Sequence, residues 1–174
     1  MKLSTRMEAA LNEQIALEGN ASSIYLAMAA WCETQALAGC AAFFYAQSDE
    51  ERGHMLKILH YIVEVDGVVK VPALKEPKAS YDSIQHVFEQ VYEEEKKVTA
   101  AIYNLLSISE AENDHATALF LQWYVAEQRE EEAQIRTILD KVKLIGTGGQ
   151  SLFFIDQELD KINATKAATA TTAE

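Results

Sequence analysis

Four runs of the chain carry an apolar residue every three or four positions, the spacing of one buried helical stripe. Each run also sets ionisable or amide side chains on that stripe. In the first, the heptad steps Leu11, Glu18, Tyr25 and Cys32 place Glu18 among positions that should be dry. The second reads Phe44, Gln47, Glu51, His54, Ile58, Tyr61, Val65, and the third Ile84, Phe88, Val91, Glu95, Val98, Ile102, Leu105. The fourth reads Leu121, Tyr124, Gln128, Glu131, Ile135, Ile138, Val142. Bundling the stripes brings Glu18, Glu51, Glu95 and Glu131, with His54, into one water-poor interior. Burying an unpaired carboxylate costs on the order of several kcal/mol, and neighbouring like charges add repulsion. Such a set calls for cations, and two divalent ions would balance its four carboxylates.

The 174 residues suit one domain. A hydrophobic content of 49% with only 7 Gly and 2 Pro favours an all-α protein over a sandwich or barrel, whose many turns need more of both. The net charge of -12 disfavours nucleic acid and favours cations as partners. Cys32 and Cys40 lie in no CxxC or zinc spacing and read as reduced thiols of a cytoplasmic protein. Charge interrupts the N-terminus before any apolar stretch builds, so no signal peptide is expected. The longest apolar-rich stretch, residues 36–46, is well short of the roughly 20 residues that span a bilayer, so no membrane partner is expected.

Thr5 with Glu8, and Asp82 with Gln85, resemble capping boxes opening the first and third helices. The expected spans are Thr5 to about Glu33, Gly39 to Asp66, Asp82 to Ser109 and Asn113 to Ile145, the last stopped by the glycines from Gly146 to Gly149. Gly67 to Ser80, with Pro72 and Pro77, has too little pattern for a helix and too much length for a turn. Extended, it reaches roughly 45 Å, enough to return along a whole helix. A four-helix bundle with one long crossover between helices 2 and 3 follows. Leu152, Phe153, Ile155, Leu159 and Ile162 form a short fifth helix expected to bury itself against another subunit, and residues 163–174, low in complexity, read as a disordered tail.

Residues three apart share a helix face, so Glu51 and His54 can ligate one metal while Gln128 and Glu131 address a second. An ExxH pair plus single glutamates from other helices is the ligand logic of dinuclear carboxylate bundles, with Gln128-x-x-Glu131 here in place of a second ExxH. Hard carboxylate oxygens bind Fe(III) more strongly than Fe(II) and so favour oxidation, while zinc or manganese also suits these donors. A buried hydrogen-bond network is the alternative, but a set dominated by glutamate lacks donors.

Over about Thr5 to Ile162 the sequence resembles a bacterial non-haem ferritin. The resemblance rests on Glu18, on Glu50-Glu51-x-x-His54, on Glu95 and on Glu127-Gln128-x-Glu130-Glu131. It implies a ferritin-like four-helix bundle forming a single domain over residues 1–162. By that resemblance Glu18, Glu51 and His54 hold one iron, Glu51 bridges to a second completed by Glu95 and Glu131, and Gln128 sits beside the pair. Glu50, Glu127 and Glu130 match a third iron site. From spacing alone these three could equally belong to a solvated acidic face like Glu93, Glu94 and Glu132. Tyr25 and Trp123 match a family tyrosine and tryptophan near the centre; either could simply pack in the core, and Tyr25 could also hydrogen-bond a ligand or donate an electron.

The function so implied is iron storage with ferroxidase activity. Fe(II) is oxidised by dioxygen at two irons per chain, and Fe(III) is mineralised inside a homo-oligomeric shell of 24 subunits. Haem is not expected, because the bacterioferritin methionine that follows the bridging glutamate is Arg52 here. A DNA-protecting miniferritin is disfavoured by the lack of a basic tail, and a rubrerythrin by the lack of CxxC. A non-catalytic metal buffer and a substrate-oxidising diiron enzyme remain as rivals.

Overall fold

Short polar side chains open three of the helices. Ser4, Ser83 and Asp114 accept from the backbone N–H groups of Met7, His86 and Thr117, each satisfying a donor that has no partner within its helix. The caps are therefore Ser4 and Ser83, each one residue from the Thr5 and Asp82 expected from the sequence. The helices are α1 (Thr5–Thr34), α2 (Ala38–Glu64), α3 (Ile84–Ala111), α4 (His115–Ile145) and α5 (Gly149–Thr171). They belong to a computed structural model that describes residues 2–146 and 148–171. Among these residues no strand occurs, and no helix is long and apolar enough to cross a membrane.

Two apolar clusters define the bundle. One packs the end of α1 (Tyr25, Met28, Cys32) with the starts of α2 and α3 (Phe43, Phe44, Phe88) and the end of α4 (Ile135, Ile138, Val142). The other packs the start of α1 (Met7, Leu11, Ile15) with the ends of α2 and α3 (Ile58, Ile62, Ile102, Leu105) and the start of α4 (Leu121, Tyr124). Thus α1 and α4 run one way and α2 and α3 the other, the arrangement that the long crossover permits. Each fully buried Leu, Ile or Phe contributes about 1.5–3 kcal/mol, so the clusters clamp whatever lies between them. Between them lie Glu18, Glu51, His54, Glu95, Gln128 and Glu131.

Residues 65–83 form the crossover, held along α1 by side chains that stand in for ladder partners. Asn12 donates to Val68 O (2.9 Å) and accepts from Lys70 N (2.6 Å). Glu8 accepts from Val68 N and Asn20 from Lys75 N, each at 2.9 Å.

The fifth helix departs from expectation twice. It packs on its own subunit, with Ile155 and Leu159 completing the first apolar cluster beside α2 and α4. It also continues to Thr171, because alanine-rich sequence of low complexity still has high helix propensity. The rest of the expected tail, 172–174, lies outside the described residues. Asp156 on α5 caps α2, whose own N-cap Leu37 has no side-chain acceptor: Asp156 Oδ1 accepts from Cys40 N at 2.9 Å. Asn163 adds a bond to Gly39 O at 3.2 Å. Cys32 and Cys40 are unpaired and buried at this junction, and burial pushes the Cys32 thiol up to about 12.

Candidate metal centre

Heptad and three-four spacing leaves Glu18, Glu51, His54, Glu95, Gln128 and Glu131 no more than 6% exposed, at the level where four helices face one another. Glu18, Glu51 and His54 each bring one ligand atom within 4.8 Å of the others, in reach of a common ion. His54 Nδ1 lies 3.2 Å from Glu51 Oε2. One helical turn separates the two residues, which is why ExxH can act as a unit.

Neighbouring donors hold the carboxylates unequally. Gln14 Nε2 donates to Glu18 Oε1 at 2.9 Å. Glu18 Oε2 is fully buried without a partner. With both carboxylates ionised nothing stands between it and Glu51, so only a proton or a cation satisfies this oxygen. Glu95 is held by the Tyr25 hydroxyl on Oε1 and by Gln128 Nε2 on Oε2 at 3.0 Å. Glu131 Oε2 accepts from Gln47 Nε2 at 3.2 Å. The structure thus assembles Glu18, Glu51 and His54 around one point, while Glu95 and Glu131 flank it, each with an amide or phenol donor attached.

Burial raises the pKa of Glu18 and Glu51 well above the ordinary glutamate value, reinforced by the Glu51 charge on Glu18 and the Glu95 charge on Glu51. Glu95 is raised too, again by burial, against the lowering pull of the Tyr25 and Gln128 hydrogen bonds. Burial and then the Glu95 charge push the Tyr25 phenol well above its usual value, so it remains a donor. Hard oxygen donors, one imidazole, an orphaned oxygen and raised carboxylate pKa values form a donor set that could hold a divalent or trivalent cation in place of protons.

A cap covers His54. Trp123 meets it edge to face with centroids 5.4 Å apart, and Lys57 Nζ lies 4.0 Å over the indole. Tyr124 donates to His54 O at 2.7 Å. Outside this layer, Glu127, Glu130, Glu131 and Gln134 line an open pocket of about 260 Å³. Buried Glu131 thereby links the acidic surface to the centre. Glu50, expected to converge with Glu127 and Glu130, is half-buried and does not line this pocket. Glu93 and Glu94 pair with Lys96 and Lys97 on the outside, as a solvated face would, but Glu132 departs from that reading by accepting from Thr99 Oγ1 at 2.5 Å.

The sequence alone assigns no role to Gln14 or Thr99, gives Gln47 only a place on the seam, and sets Glu132 on a solvated face. For two of them a signal exists: Gln14-x-x-x-Glu18 and Glu95-x-x-x-Thr99 have the four-residue spacing that stacks side chains on one helix face.

Residues 8–145 match the family described as Ferritin-like domain. The "Bacterial non-heme ferritin" of Campylobacter jejuni is 41% identical over 160 residues, covering 92% of this chain and 96% of that protein. The protein of the same name from Escherichia coli is 37% identical over 153 residues, 88% and 93% of the two chains. Among solved structures, the open pore ferritin of the archaeon Archaeoglobus fulgidus superposes with a TM-score of 0.89 at 41% identity, over 91% of this chain and 98% of that one. The chain belongs to the ferritin-like family.

Proposed function

We propose that this protein is an iron-storage ferroxidase: it oxidises Fe(II) with dioxygen at a dinuclear centre within each subunit and keeps Fe(III) as a mineral inside a homo-oligomeric shell. The observation that carries this reading is the buried Glu18, Glu51 and His54 group with its orphaned Glu18 oxygen, set in a chain that aligns over nearly its full length with non-heme ferritins. In this reading Glu18, Glu51 and His54 hold the first Fe(II). Glu51 is shared with a second Fe(II) completed by Glu95 and Glu131, and Gln128 and Tyr25 orient Glu95. Each Fe(II) gives one electron, so one pair with two protons takes dioxygen to hydrogen peroxide and two pairs with four protons take it to water, and carboxylate-rich coordination favours the Fe(III) product. Glu127 and Glu130, with Glu50 nearby, offer a third, outer position on the way from the centre to the acidic surface. The centre uses no haem.

Storage requires assembly, since one bundle encloses no mineral. Twenty-four copies are proposed, as in the resemblance, in the cytoplasm. Large apolar side chains left outside support an interface between copies: Leu144 is 88% exposed, and Phe153 and Phe154 are 63% and 57%. The test is aerobic addition of Fe(II). Rapid oxygen uptake saturating at about two irons per chain, abolished in Glu51→Ala, is the expected result. Uptake no faster than buffer would reduce the protein to a metal binder, and a monomer or dimer by size exclusion would remove storage.

A further inference from the structure

A line of hydrogen bonds leaves the centre from Glu95 toward the surface. Gln128 Nε2 donates to Glu95 Oε2 at 3.0 Å, approaches the Glu95 backbone oxygen at 3.3 Å, and lies 3.4 Å from Thr99 Oγ1. Thr99, one turn beyond Glu95 on α3, donates its hydroxyl to Glu132 Oε1. Donor counting fixes the direction. An ionised Glu132 only accepts, so the single Thr99 hydrogen is committed to it and Thr99 turns lone pairs toward Gln128. Only the amide nitrogen fits there. Flipped, the Gln128 oxygen would face three acceptors: Thr99 Oγ1, the Glu95 carboxylate and the Glu95 carbonyl.

We propose that Thr99 and Glu132 are positioning residues for the second metal: through Gln128 they fix the plane of the Glu95 carboxylate. This rests on the reading of Glu95 as a ligand of that metal. With Tyr25 on one oxygen and Gln128 on the other, the carboxylate cannot rotate, and each oxygen keeps further lone pairs for an ion. The first position lies outside this line of hydrogen bonds: Glu18 is held by Gln14, and Glu51 contacts His54.

The experiment is an anaerobic titration of the full-length, metal-free protein with Co(II), whose visible absorption reports each ligand environment. Four proteins are compared: wild type, Thr99→Val, Thr99→Ser and Glu132→Ala. Wild type should take up at least two equivalents per chain, the first two being those of the buried centre. Thr99→Val, nearly isosteric and compatible with a helix, should keep the first equivalent unchanged and weaken the second about tenfold or more. Glu132→Ala, altered outside the ligand set, should weaken the same equivalent. Thr99→Ser, which restores the hydroxyl, should bind as wild type does. Equal second affinities in wild type and Thr99→Val overturn the proposal, as does a Thr99→Ser protein as weak as Thr99→Val. A wild type that binds fewer than two equivalents overturns the reading of Glu95 itself, a failure visible before any substitution is compared.

Discussion

Glu18 carries one oxygen held by Gln14 and one that, once Glu18 and Glu51 are both ionised, no donor reaches, which makes it a costly side chain of the deprotonated, metal-free centre. Replacing it with glutamine removes a carboxylate from a cluster of like charges and supplies an N–H where an acceptor stood unsatisfied. At a pH where Glu18 has lost its proton, Glu18→Gln should therefore stabilise the metal-free protein by about 1–3 kcal/mol, the cost of a buried unsatisfied group. The same change should remove the Zn(II) equivalent held with Glu51 and His54. Denaturant unfolding in chelator, beside a Zn(II) titration, checks both; a destabilised Glu18→Gln would mean that the wild-type oxygen is already satisfied. The sequence makes Glu18 legible because Leu11, Tyr25 and Cys32 stand one or two heptads away and leave its helix face in no doubt. What holds it is less legible. That Gln47 on α2 reaches Glu131 on α4, or that Thr99 turns to Glu132, depends on rotamers and on the rotation of each helix about its axis, which hydrophobic spacing fixes only to within a stripe.

At the scale of the helices, the geometry of the ends and the packing of the fifth element are less legible in the sequence than the seam. Three ends close in one way. Leu37 N bonds to Cys32 O, Gly67 N to Ile62 O and Asp114 N to Ser109 O, with Ala36, Asp66 and Asn113 in the left-handed region at φ 58, 62 and 55. None of the three is the glycine that normally signals such a stop. The sequence placed the ends within a residue or two from the loss of periodicity, but could not foresee their geometry. The apolar face of α5, surplus to four helices in the sequence, is divided in the structure: Ile155 and Leu159 close one end of the chain's own core, while Leu152 and Phe153 stay exposed. The close approach of α5 to α2 rests on Gly39, where a Cβ would lie 2.2 Å from Asp156 O. Backbone cannot rotate away, so Gly39→Ala must lift α5 and free Cys40 N from its cap. The expected cost is about 1–3 kcal/mol, with Cys32 and Cys40 becoming reactive toward a thiol reagent. Gly53→Ala is the control. It sits inside α2 with nothing within 4 Å of its added Cβ, and should stabilise by about 0.5–1 kcal/mol. Thiols that stay protected in folded Gly39→Ala would show that α5 does not shield them.

For the whole molecule, the consequence of the centre is a stability that depends on pH in opposite senses with and without metal. Glu18, Glu51 and Glu95 all titrate above the ordinary glutamate value, so the folded chain keeps protons that the unfolded chain has released. When the native state binds more protons, stability falls as pH rises. This contribution is fully present below the unfolded glutamate range near about 4.3 and is lost as pH climbs from there through the raised folded values. A divalent ion displaces the same protons and binds only the deprotonated site, so its contribution grows with pH. The Tm of chelated protein should therefore fall between pH of about 5 and 7.5, while the gain in Tm from two equivalents of Zn(II) should widen over the same interval. The remaining acidic surface, part of a net charge of -12, is common to both samples and largely cancels in the difference. Calorimetry in two buffers of different ionisation enthalpy supplies the independent count, since protons released on Zn(II) binding must accompany the widening gain. Parallel Tm curves with no proton release would place the buried carboxylates already ionised before metal arrives, and the cation would then be neutralising charge, not exchanging for protons.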